Sequence, residues 1–255
     1  MNIFTPVRRF EPNDPELMDL PGFDPMLLRE ELQMLEALNR RLNGHKLTLG
    51  YVERLLGSIR CESLSVLDLG TGAADIPRAI TAWARERHLP VTITAVDRNP
   101  EVLKIAQELC RDWPEIRLVQ HDLRSLPYAP ESFDLVLCSQ ALHHFDSADA
   151  ILILEQIKKL ARIGYIISDL RRNCLAIGAM ELLLFTMFRS RVFRHDARQS
   201  FRAAFTISEI RALTAKAGLD NCQIHRHHWF FRMIIAGENK PSNKAQDRLS
   251  TTIFP

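Results

Sequence analysis

The segment Val66-Leu67-Asp68-Leu69-Gly70-Thr71-Gly72-Ala73-Ala74-Asp75 constrains this chain more than any other. An apolar strand closes on Asp68, turns through Gly70 and Gly72, and enters a helical pattern at Asp75, Ile76 and Pro77. Glycine has no Cβ to hold a ligand away from the backbone, and a helix start presents unpaired N–H groups to a negatively charged group. The segment therefore predicts a site for a nucleotide-like cofactor. A dinucleotide fingerprint, G-x-G-x-x-G, would need a third glycine where Asp75 stands, and an acid there sits badly beside a pyrophosphate.

Three further strands follow in order. Val91 to Asp97 is a β-branched run ending in an acid, where a ribose hydroxyl pair needs an acceptor, and Asn99-Pro100 then starts a helix. Ile116 to Val119 leads to His121-Asp122-Leu123, and Phe133 to Cys138 reads as a fourth strand. One aspartate at a strand end is often only a cap or a turn residue. Acids at successive strand ends are harder to explain that way.

On these motifs the chain resembles the class I methyltransferases that use S-adenosylmethionine, over about residues 60–237. Their first motif matches Asp68, Gly70 and Gly72, with Ala74 in place of the third glycine. The resemblance implies that Asp68, Gly70 and Gly72 line the methionine part of the cofactor and that Asp97 takes the ribose hydroxyls. Arg98 would flank the adenine, Asp122 and Leu123 would meet its edge, and Ser139 and Gln140 would cover the sulfonium side. It also implies a Rossmann-like, doubly wound seven-stranded sheet, mostly parallel with the last strand antiparallel, plus a helical lid.

With 255 residues the chain can bury a large core, and a net charge of +2 does not call for nucleic acid. The five scattered cysteines lack C-x-x-C pairs and read as buried free thiols in a reducing compartment. Pro6, Pro12 and Pro15 leave no apolar secretory stretch, so a cytoplasmic protein is expected. The apolar run Cys174 to Phe188 contains Glu181 and falls short of the roughly 20 residues of a membrane span.

Asp24-Pro25 begins a helix with a leucine stripe that Gly44 is expected to end, and a second helix runs from about Leu47 to Leu56. Residues 1–59 are thus expected to supply a tail and lid helices, 60–237 the core, and 238–255 a loose tail. Ala148 to Ala161 reads as a helix and Ile163 to Ser168 as the fifth strand. Residues 171–205 form an insertion, Thr206 and Glu209 have capping-box spacing for a helix stopped by Gly218, and two last strands lie near 223–228 and 230–236.

Methyl transfer from a sulfonium needs alignment, exclusion of water and, for a hydroxyl acceptor, a base. Histidine changes charge nearest neutral pH, and His144 and His143 follow the fourth strand, so they are the catalytic candidates. Some relatives that methylate quinone-pathway phenols bind a metal here through acidic residues and a histidine. The matching positions are Gln140, His143 and His144, without carboxylates, so no metal is expected. Arg194, His195 and Arg198 lie in a cationic stretch that reads either as a solvated face or as a contact for a substrate carboxylate, a carrier protein or lipid headgroups.

Phe185 and Trp229 add to an apolar acceptor pocket. The expected activity is O-methylation of a small apolar phenolic or polyketide-like acceptor. C-methylation of a ring or quinone-like acceptor, and a non-catalytic cofactor-binding subunit, stay open. The expected partners are a small-molecule substrate, anionic or carrier-bound, and peripheral membrane rather than nucleic acid, with the chain as a monomer or homodimer.

Overall fold

Residues of strand β1 (Leu64–Leu69) enter two different cores, which is why its apolar residues Leu64, Val66, Leu67 and Leu69 serve both faces. In the computed structural model, which describes residues 7–10, 16–57, 59, 61–174, 178, 190–227 and 231–239, helices cover both faces. Leu64 and Val66 pack with α2 (Gly44–Leu56) and α3 (Asp75–Glu86) through Val52, Leu55 and Ile80. Leu67 and Leu69 share a core with α5 (Ser147–Leu160) and α7 (Ile207–Lys216) through Ile153, Leu154 and Ile210. Each such fully buried aliphatic side chain contributes about 1.5–3 kcal/mol.

The sheet has seven strands in the order β3-β2-β1-β4-β5-β7-β6. Strands β1, β2 (Val91–Asp97), β3 (Ile116–Gln120), β4 (Phe133–Ser139) and β5 (Ala161–Leu170) pair in parallel. Strand β7 (Arg232–Glu238) runs antiparallel between β5 and β6 (Gln223–His227). The order reverses between β1 and β4, so the crevice at their carboxyl ends is the natural ligand site of a doubly wound sheet.

Local signals fixed most element starts. Asp24 accepts from the amides of Met26 and Leu27 to cap α1 (Pro25–Arg41), and Asn99 accepts from Glu101 N to cap α4 (Pro100–Leu109). Thr206 and Glu209 form the reciprocal capping box of α7. Helix α6 (Arg191–Ala203) occupies the described end of the insertion.

Several expectations need correction. Gly44 opens α2 rather than ending α1; the turn is made by Asn43 at φ 54°. A Cβ on Gly44 would lie 1.7 Å from Asn39 Oδ1, so the position is glycine for packing, not termination. Ala161 begins β5 instead of finishing the preceding helix, Glu238 ends β7 opposite Gly164, and Asn239 Nδ2 donates to Ala161 O at 2.6 Å. Cys110 and Cys138 are buried, but Cys174 is exposed and Cys61 and Cys222 are half-buried. The apolar run to Phe188, with Phe185, and Trp229 lie outside the described residues. Among the described residues no helix is long and apolar enough to cross a membrane.

Candidate cofactor and acceptor site

The glycine turn sits where two backbones nearly touch. A Cβ on Gly70, at φ 69°, would fall 2.5 Å from Ala141 Cβ in the loop after β4. Gly72, at φ 54°, would meet nothing within 4 Å, so its face toward the adjoining cavity is open backbone. Its amide donates to Asp97 Oδ2 at 3.0 Å, while Asn99 N donates to Oδ1 at 3.0 Å. These two bonds fix the Asp97 carboxylate and leave lone pairs for a diol.

The cavity at this crevice encloses about 240 Å³ and is lined at one end by Asp68, Asp97 and Asp122. Burial pushes the Asp68 carboxyl up to about 7, Thr71 opposing and Asp75 and Asp97 adding to the rise. Asp68 Oδ1 and Ser139 Oγ are buried without a hydrogen-bond partner among the described residues, and both line the cavity. Orphaned groups that face a cavity are available to a ligand, an ion or water. The open glycine backbone, the orphaned acid and the anchored Asp97 fit the ammonium, sulfonium and ribose of S-adenosylmethionine.

Of the expected cofactor contacts, Asp68, Gly70, Gly72, Asp97, Arg98, Asp122, Leu123, Ser139 and Gln140 all line this cavity. Ala74 does not. It is fully buried against Ala106 and Cys110, in the left-handed region at φ 57°, so it packs helix against helix. Asp122 is engaged by Arg124, whose Nε lies 2.9 Å from Oδ1.

His143 and His144 form a single 3-10 turn at the other end of the cavity, their ring centroids 4.3 Å apart. His143 Nδ1 lies 2.6 Å from Asp169 Oδ1 at the end of β5, and the His143 amide donates to Asp169 Oδ2 at 2.9 Å. Burial lowers the pKa of this imidazole, but Asp169 and Glu16 outweigh it and raise the ring to about 10. His143 is therefore held as a cation and is not a base near neutral pH in the ligand-free protein. His144 is less enclosed, with its side chain 28% exposed.

The upstream segment closes over this turn. Glu16 Oε1 stands 3.8 Å from His143 Nε2 and 4.0 Å from His144 Nε2, and Asp19 Oδ2 stands 3.6 Å from His144 Nδ1. Burial raises the Glu16 carboxyl, but His144, His143 and Ser200 bring it down to about 2. Arg8 secures the segment by donating to Ala203 O at 2.6 Å and Phe145 O at 2.7 Å. Asp196 of α6 accepts from Leu17 N and Met18 N.

Helix periodicity decides which part of α6 meets the cavity. Phe193, Ala197, Ser200 and Phe201 line it, while Arg194, His195 and Arg198 do not. His195 Nδ1 instead meets Asp196 Oδ1 at 3.0 Å, and Arg194 Nε donates to Ser190 O at 3.3 Å. The sequence signals missed Glu16, Asp19, Asp75 and Asp169. Asp169 carried the same mark as Asp97, an acid tipping a parallel strand. Asp75 is held below its ordinary range: burial opposes this, but His45 Nε2 and Asn39 Nδ2, each 2.7 Å from Oδ2, prevail.

Comparison with known proteins agrees with this geometry. The family model described as a methyltransferase domain matches residues 66–164. A probable phthiotriol/phenolphthiotriol dimycocerosates methyltransferase of Mycobacterium ulcerans is 34% identical over 37% of this chain and 36% of that protein. The chain spans only about a third of the length of the curated relatives it matches. Among solved structures, an S-adenosylmethionine-dependent methyltransferase of Aquifex aeolicus superposes with a TM-score of 0.57 at 15% identity, covering 85% of this chain and 99% of that one. Magnesium protoporphyrin IX methyltransferase of Synechocystis with S-adenosylhomocysteine bound gives 0.54 at 17% identity, covering 85% and 100%. Residues 66–164 thus match a methyltransferase-domain model, and the fold is that of solved S-adenosylmethionine-dependent methyltransferases.

Proposed function

We propose that the protein transfers a methyl group to a hydroxyl of a small, largely apolar acceptor, phenolic or polyketide-like. One observation carries this reading: a single cavity joins the acid-lined glycine turn to the histidine turn, and its wall also carries the apolar Met18, Leu35, Leu38, Leu170, Phe193 and Phe201 beside the polar Glu16, Asp19, Glu36, Asn39 and Ser200. Apolar side chains interspersed with polar groups at fixed points suit a largely apolar molecule that carries a hydroxyl. The Mycobacterium relative is named as a probable phthiotriol/phenolphthiotriol dimycocerosates methyltransferase.

When bound, S-adenosylmethionine supplies an electrophilic methyl on a sulfonium. Asp68 neutralises cationic charge at that end, and Asp97 fixes the ribose. Glu16 and the segment behind it shield the chamber from water, which matters for an in-line displacement. His144 is the group placed to receive the hydroxyl proton, and His143, fixed by Asp169, holds the turn in register.

The test is mass-spectrometric detection of S-adenosylhomocysteine formation with a panel of apolar phenols and hydroxylated polyketides. NMR of the product is expected to show a new O-methyl resonance. A C-methyl resonance would favour ring methylation, and cofactor binding without transfer to any acceptor would favour a binding subunit. Arg194 and Arg198 would in this reading meet an anionic carrier or headgroup only outside the cavity.

A further inference from the structure

We infer that Glu16, His143 and His144 form a site for a divalent first-row metal ion, placed where the acceptor's oxygen would lie. Among the described residues these three offer ligand atoms that all fall within 4.8 Å of one another. Two imidazole nitrogens and one carboxylate make a three-ligand set that leaves a coordination position open, the arrangement of catalytic rather than structural metal sites.

The groups behind the ligands favour the same reading. A metal-binding histidine usually donates its other ring nitrogen to a carboxylate, which fixes the tautomer and aims the free nitrogen at the ion. His143 has that partner, Asp169 on Nδ1 at 2.6 Å, while Asp19 stands near Nδ1 of His144 at 3.6 Å, beyond hydrogen-bond distance. In both rings Nε2 is then the atom turned toward Glu16 Oε1, at 3.8 and 4.0 Å. Ser200 Oγ donates to the same Glu16 carboxylate and steadies it.

Ligands about 2.1 Å from a tetrahedral ion stand about 3.4 Å apart. The two gaps from Glu16 to the histidines thus need to close by about half an ångström, within the reach of a glutamate on an upstream segment. Two imidazoles favour zinc, copper, iron or nickel, with cobalt as a stand-in for zinc, over magnesium, calcium and manganese, which prefer oxygen. All three ligands line the cavity that also holds the cofactor end, so the open position faces the acceptor chamber. The ion's role rests on the methyl-transfer reading: a hydroxyl of the acceptor would take the fourth position and meet the ion instead of the His144 imidazole. The binding site itself stands on geometry alone.

The experiment strips the full-length protein with chelator and titrates it with Co²⁺, reading the visible d–d bands, with Zn²⁺ and Mg²⁺ as competitors. S-adenosylhomocysteine binding is measured on the same samples. The expected result is one equivalent of Co²⁺, displaced by Zn²⁺ and not by Mg²⁺, with affinity lowered about tenfold or more in Glu16→Gln and His144→Asn. Protein that binds S-adenosylhomocysteine but shows no stoichiometric Co²⁺ band would overturn the proposal. So would Co²⁺ bound equally well by both variants. Loss of S-adenosylhomocysteine binding alone would count against the methyl-transfer reading and not against the metal site.

Discussion

Asp169 grips His143 twice, accepting from the ring at 2.6 Å and from the main-chain amide at 2.9 Å, and a third bond from Leu170 N at 2.7 Å completes its shell. Asp169 is fully buried and His143 is 3% exposed. The pair ties the end of β5 to the loop after β4, the two segments that form the acceptor end of the cavity.

Removing one partner of such a buried pair strands the other. Asp169→Ala is expected to destabilise the fold by about 3–5 kcal/mol in urea titrations. Asp169→Asn keeps an acceptor oxygen and should cost less, while lowering kcat more than it raises KM, because the turn loses its fixed orientation.

The raised Asp68 carboxyl makes cofactor binding depend on pH. A ligand carrying positive charge stabilises the carboxylate, so binding releases protons and tightens as pH rises through about 7. Calorimetry between about pH 6 and 8 should show S-adenosylhomocysteine affinity rising. Asp68→Asn should flatten that rise. In the ligand-free protein the sign is opposite: a carboxyl whose pKa is raised on folding contributes stability at low pH that is lost as pH rises through about 7.

Gly44 acts on the cofactor end at one remove. A methyl there would collide with Asn39 Oδ1 at 1.7 Å and with Arg232 Nη1 at 2.8 Å, and Asn39 Nδ2 is one of the two groups holding Asp75. Gly44→Ala should displace Asn39, lower thermal stability and weaken S-adenosylhomocysteine binding measured by calorimetry.

Ala74 tests the opposite sign. A non-glycine residue in the left-handed region costs about 1–2 kcal/mol, partly offset by glycine's larger loss of freedom on folding. Ala74→Gly should therefore raise stability by about 0.5–1 kcal/mol in thermal or urea melts, without changing the cofactor contacts.

Parallel strands buried on both faces, and acids at their carboxyl ends, were readable because each signal lies within a few consecutive residues. The run from Leu64 to Asp75 and the tip at Asp97 needed no tertiary knowledge. Glu16 could not be read this way: it lies 127 positions before His143 in sequence, in a proline-rich stretch without periodicity, and only folding brings its carboxylate over the histidine turn. The histidine pair therefore read as lacking an acid. Composition alone does not say which face of α6 turns inward; Phe193 and Phe201 take that face, and Arg194, His195 and Arg198 stand off the cavity wall.

The central claim is that the crevice between β1 and β4 holds S-adenosylmethionine, with Asp97 as the ribose anchor. Titration calorimetry of S-adenosylhomocysteine into the folded full-length protein tests it most directly. One equivalent should bind, and Asp97→Ala, with its fold checked by circular dichroism, should weaken binding by about tenfold or more. Folded protein that takes up no ligand, or an Asp97→Ala variant that binds as tightly as the parent, would contradict the account.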